Sequence, residues 1–153
     1  MDEKTTSLTT LDIAEILCRI NYSFCEMYDA PVKARSWVTI SDEEKQLRAN
    51  AVQKLFNKIV VTEEGNVIIP TPKEMHNEWM KNKIEQGWQL GRYEPENKTH
   101  PNICAYEELD VREQIKDFIF ISNVIGIMHA VAEKMKSGII HKTDYFKGTH
   151  HGL

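Results

Sequence analysis

Four aromatic rings and three basic side chains alternate between residues 79 and 106 of this 153-residue chain. Trp79, Trp88, Tyr93 and Tyr106 offer flat faces, and stacking a base on such a face is worth about 1 to 3 kcal/mol. Arg92, Lys98 and His100 are interleaved with them, and a cation beside a stacked ring can hold phosphate through charge-assisted hydrogen bonds. The set has the parts of a nucleotide site and needs no covalent chemistry. Each member also has a plainer use. Trp79, next to Met75 on the apolar side of a helix, suits a core, and Trp88 can plug the domain or line a cleft. Arg92 and Lys98 suit solvated charges, and His100, held extended by Pro101, suits a hydrogen bond that pins its own loop. Gly87 and Gly91 serve backbone conformation.

Motifs for catalysis are missing or incomplete. His76-Asn77-Glu78-Trp79-Met80 begins like a zincin helix but has Met80 where the second histidine ligand would stand. There is no Gly-rich phosphate loop and no nucleophile elbow. Cys104 and His100 are near enough in sequence to meet, with nothing further to mark a nucleophile and base. Glu107, Glu108 and Asp110 precede a helix, where they favour its dipole. His141, His150 and His151 in the tail have the chemistry of metal ligands without a fixed geometry. We expect no catalytic residues, no metal and no cofactor.

The elements that must position these groups read as helical. Leu11, Ile13, Ile16, Leu17, Ile20, Phe24 and Met27 recur at threes and fours after Thr9 or Thr10, and Asp29-Ala30-Pro31 ends that helix. Trp37 pins the following loop to the core. Ser41-Asp42-Glu43-Glu44 forms a capping box for a second helix, whose buried stripe reads Leu47, Ala51, Val52, Leu55 and Ile59. Residues 60–69, around Glu64-Gly65-Asn66, suit a short hairpin. Thr71-Pro72-Lys73-Glu74 starts a third helix that ends at Gly87. It turns Met75, Trp79, Ile84 and Trp88 to one side and leaves Lys81, Lys83 and Glu85 to solvent. Residues 89–104 lack periodicity and read as a long ordered loop. Asp110-Val111-Arg112-Glu113 offers a further box for a final helix running to about Lys136. The expected fold is all-α, mainly α-helical, with about four helices, a long ordered loop and room for one short β-hairpin. Residues 1–138 form one domain and 139–153 a His- and Lys-rich tail.

Composition agrees with a globular chain: 41% hydrophobic and 27% charged residues. A net charge of −4 without a long basic run gives duplex nucleic acid nothing to bind. Three cysteines, not paired as CxxC, and an N-terminus without basic-then-apolar order point to a reduced, cytoplasmic setting. The apolar run at residues 118–132 contains Ser122, Asn123, Gly126 and His129, and is shorter than the roughly 20 residues of a membrane span. A central helix, or one covered by another subunit, explains it better.

The series His76-Asn77-Glu78-Trp79, Gly87-Trp88-x-x-Gly91, Lys98-x-His100-Pro101 and Tyr106-x-x-Leu109 resembles the ryanodine receptor repeat domain. Asn21-Tyr22-Ser23-Phe24-Cys25 and Ala51-Val52 resemble its upstream part in short bacterial and bacteriophage proteins, so the likeness spans roughly residues 13–128. Two departures bear on ligand preference: Tyr93-Glu94 replaces a basic residue followed by Asp, and the loop from Gly91 to His100 is one residue shorter. The resemblance implies a helical cytoplasmic module with no pore or channel activity. It also implies adenine nucleotide or nucleotide-derived ligands, with Gly87, Gly91, Pro101 and Leu109 as structural motif positions. In the channels these repeats come in pairs, so a homodimer would supply the missing neighbour; a structural dimer without a small ligand is the alternative.

Overall fold

Helix starts are set by short polar side chains that satisfy the first free backbone amides. The computed structural model describes residues 8–136, except for the side chains of Val61 and of residues 131–136. The tail, with His141, His150 and His151, lies outside the described residues. Thr9 caps α1 (Thr10–Tyr28) through a reciprocal box with Asp12, and Thr71 caps α3 (Pro72–Glu85) through one with Glu74, with Pro72 in the first turn. Ser41 accepts from the Glu44 amide at 3.1 Å to start α2 (Asp42–Lys58). The expected return arm of that box is not made, because the Glu44 carboxylate turns to Arg35 and Arg48. The box expected at α4 (Val111–Lys136) is also incomplete. Asp110 Oδ1 accepts from the Arg112 amide at 2.8 Å, while the Glu113 side chain is buried and bonded elsewhere.

Left-handed residues end two of the helices, α1 and α3. Asp29 has φ 49° after α1. Gly87, at φ 89°, follows α3 in a Schellman arrangement, with Gly87 N–H donating to Ile84 O and Trp88 N–H donating to Lys83 O, each at 2.9 Å. Arg112 donates to the Asp29 and Tyr28 carbonyls at 2.7 and 3.3 Å, so α4 closes the end of α1.

The core joins α1, α2 and α4 around Ile13, Leu17, Val52, Leu55, Ile121 and Val124, with Trp37 and Ile40 sealing it from the connecting loop. The buried faces are narrower than the apolar stripes in the sequence. Leu11, Ile16 and Met27 of α1 and Leu47 of α2 are exposed, and so is Phe118 of α4. The helix expected to be central packs on α1 and α3 and buries Ile121 and Val124, but leaves Val111 and Phe118 exposed.

The hairpin forms as β1 (Val60–Val61) and β2 (Val67–Ile68), antiparallel, with Val60 opposite Ile68. The long loop holds an element that the sequence reading lacked. Here β3 (Gln89–Leu90) pairs in parallel with β4 (Thr99–His100), Leu90 opposite His100, around a 3₁₀ turn at Pro95–Asn97. The fold is mainly α, with four helices and two very small sheets among the described residues. No helix among them is long and apolar enough to cross a membrane.

Candidate ligand site

The β3–β4 clasp delivers His100 into the domain, where only 9% of its surface remains accessible. Three rings meet it. Trp79 of α3 stands edge-on at 4.9 Å between centroids, Tyr93 at 5.2 Å and Trp88 at 6.3 Å. The Asn102 amide donates to His100 Nδ1 at 3.0 Å, so the neutral ring carries its proton on Nε2. Burial, aided by the positive charge of Lys83, lowers the His100 pKa to about 4 and keeps the ring neutral.

The second buried histidine, His76, stacks on Trp79 at 5.7 Å between centroids, and its Nε2 bonds to the Cys104 carbonyl at 2.8 Å. Tyr106 lies 6.0 Å from His76 and belongs to this outer part of the cluster. His76 thus fastens α3 to the loop. Cys104 meets His76 through its backbone carbonyl.

A cavity of about 290 Å³ opens beside these rings. Trp79, Tyr93 and His100 contribute one part of its lining. The rest comes from Asn21 of α1, residues 32–35, Glu44 and Arg48 of α2, Asn102, and Glu113 and Lys116 of α4. Arg35 and Arg48 share the single carboxylate of Glu44, with Arg48 Nη2 at 3.1 Å. Glu113 is 3% exposed, accepts from Asn102 Nδ2 at 2.7 Å and is ion-paired with Lys116. Lys116 also donates to the Val32 carbonyl at 2.6 Å. Arg35, Arg48 and Lys116 share two carboxylates in this lining, and its fourth cation, Lys33, pairs with Asp29 outside it, which leaves an excess of one positive charge.

The residues read from the sequence divide into three groups. Trp79, Tyr93 and His100 line the cavity, and Trp88 and Tyr106 stand behind it. Arg92 is exposed, contributing its backbone carbonyl as acceptor for Thr99 Oγ1 at 2.6 Å. Lys98 adopts φ 53° and donates Nζ to the Gln86 carbonyl at 2.9 Å, tying the loop to the end of α3. Lys83, expected in solvent, lies with Nζ 4.5 Å from the Trp88 ring centroid, and burial lowers its pKa. Ile84, expected on the inner side, is exposed instead. Gly91 allows close approach: a Cβ there would stand 3.1 Å from Thr99 Cβ. Leu109 is buried and Pro101 exposed. Glu107 is exposed and paired with Lys73, which lowers its pKa.

Sequence reasoning missed Arg35, Arg48, Glu113 and Lys116. Among the described residues, no group of three or more His, Cys, Asp or Glu is placed to hold a metal ion.

A helical domain whose clasped loop buries a histidine among aromatic rings, next to a polar cavity, is the class these features define. Residues 56–137 match the RyR domain family, more than half of the chain, and the protein belongs to that family. The match begins at the end of α2, so Asn21-Tyr22-Ser23-Phe24-Cys25 and Ala51-Val52 lie outside it. None of the curated proteins compared matches the chain.

Proposed function

We propose that this protein is a non-enzymatic, cytoplasmic binding module for an adenine nucleotide or related metabolite. The observation that carries the proposal is the pairing of two arginines, Arg35 and Arg48, on one carboxylate within a cavity that Trp79, Tyr93 and His100 also line. Two guanidinium groups present more donors than Glu44 can accept, so phosphate oxygens have partners there. The base lies against the rings, and the neutral His100 offers Nε2–H to an acceptor on it. At about 290 Å³ the cavity is near the lower end of the usual ligand range of about 300 to 1,000 Å³, which suits one nucleotide. The free, buried thiols of Cys18 and Cys25 agree with a reducing compartment.

Thermal melting against AMP, ADP and ATP tests this. A ligand at 100 times its Kd stabilises the native state by about 2.7 kcal/mol and raises Tm by several degrees. The rise is lost in Trp79→Ala and Arg48→Ala and kept in Arg92→Ala, whose side chain is outside the cavity. No rise at millimolar nucleotide overturns the proposal.

Self-association is a second reading, favoured by a different observation. Val111 and Phe118 are more than 60% exposed along one side of α4, and Ile115 between them is 37% exposed. Phe118 also borders an apolar groove of about 390 Å³ with Ile69, Pro70 and Ile125. This surface fits a second copy of the domain, and binding and pairing are compatible.

A further inference from the structure

We infer that the ligand is a dinucleotide-type molecule, in which phosphates join two ring systems, and that a second chamber of this domain receives the second ring. The inference rests on the reading of the first cavity as a nucleotide site. A separate cavity of about 220 Å³ lies between α1, α2 and α4, with Leu17, Val52, Phe120 and the carboxylate of Asp117 in its mainly apolar lining. It shares Asn21, Arg48 and Lys116 with the aromatic cavity, so these three polar side chains form the wall common to both chambers.

Arg48 spans the junction. Its Nη2 donates to Glu44 Oε1 at 3.1 Å, and Glu44 lines the aromatic chamber. Its Nη1 donates to Cys18 Sγ at 3.4 Å, and Cys18 lines the apolar chamber. A thiol is a weak acceptor, so a phosphate oxygen displaces it readily from a guanidinium N–H. The order is therefore aromatic wall, cationic junction, apolar wall. A mononucleotide satisfies the first two and leaves the third empty. A molecule with a second planar group beyond its phosphates fills all three, its ring buried against Leu17, Val52 and Phe120. Where that ring is cationic, as in NAD⁺, the Asp117 carboxylate of the same lining balances it.

The probes are ADP and NAD⁺, which share an ADP portion and differ by a second ring-bearing nucleoside end. Calorimetric titration is expected to give NAD⁺ a Kd about tenfold lower than that of ADP, the gain from burying one further ring. Ala51→Trp tests the location, since Ala51 is an exposed position of α2 on the rim of the apolar chamber. That variant should bind ADP as the parent does and lose the NAD⁺ advantage. Ala51→Phe provides the same obstruction with a smaller ring should Ala51→Trp melt below the parent. Equal affinity for ADP and NAD⁺ overturns this inference and leaves the nucleotide site standing. An NAD⁺ advantage that survives both substitutions overturns it as well, by placing the second ring elsewhere. Failure of both probes to bind removes the nucleotide reading and the inference together.

Discussion

Burial acts on His100 and Asp117 with opposite pH consequences. His100 titrates near pH 4 in the folded chain and near 6.5 when free. The unfolded state thus binds more protons between those values, and this contribution to stability is lost as pH falls from 6.5 to about 4. Burial raises Asp117 to about 6 from 3.8, with Glu113 adding to the rise and His76 and Lys116 opposing it. The folded state then binds more protons between pH 6 and 3.8, and stability is gained as pH falls through that window. The two trends offset each other in the parent. Asp117→Asn is expected to stabilise the protein at pH 7 by about 1 kcal/mol, after allowance for partial solvent access. It should also steepen the loss of Tm below pH 6.5, and melting curves at several pH values read both effects. At this scale the sequence was half legible. Aromatic side chains announced themselves because little else in a small domain uses two tryptophans and two tyrosines within 28 positions. Arg35, Arg48, Glu113 and Lys116 did not, because a charged residue on a helix, or in a connecting loop as Arg35 is, reads as solvated until its neighbours in space are known. Glu113 looked like a helix cap and is instead a buried partner of Asn102 and Lys116.

Elements whose boundaries depend on local chemistry were legible to within a residue or so. Thr71-Pro72-x-Glu74 marks the start of α3 and Gly87 its end, because capping is decided within one turn of chain. Gly87→Ala is expected to destabilise the domain by about 1 to 2 kcal/mol, the strain of a Cβ at left-handed φ, as read by urea unfolding. An unchanged midpoint would mean that α3 has another stop. The parallel β3–β4 pair was not legible, since two-residue strands carry no alternation to detect. The burial of His76 was hidden for a related reason: its partner carbonyl belongs to Cys104, 28 residues away. The apolar run in α4 showed that a face must be covered. It could not show that α1 and α3 pack on α4, with Ile121 and Val124 buried, while Val111 and Phe118 stay exposed.

For the whole molecule, that uncovered side of α4 predicts association. Light scattering at micromolar concentration should give twice the mass of one chain, and Phe118→Glu should halve it, because a charge at a twofold apolar contact is repeated on both partners. A parent that stays monomeric contradicts the pairing and leaves the cavity untouched. The central claim, that rings and arginines enclose a nucleotide, is tested most directly by the three tryptophan indole N–H resonances during an ADP titration. Trp79 lines the cavity, Trp88 stands behind His100, and Trp37 lies in the hydrophobic core. The account predicts a saturable shift of the Trp79 resonance, a smaller one at Trp88 and a stationary Trp37. A Trp79 resonance that stays fixed at millimolar ADP, or that moves no more than Trp37, would contradict it.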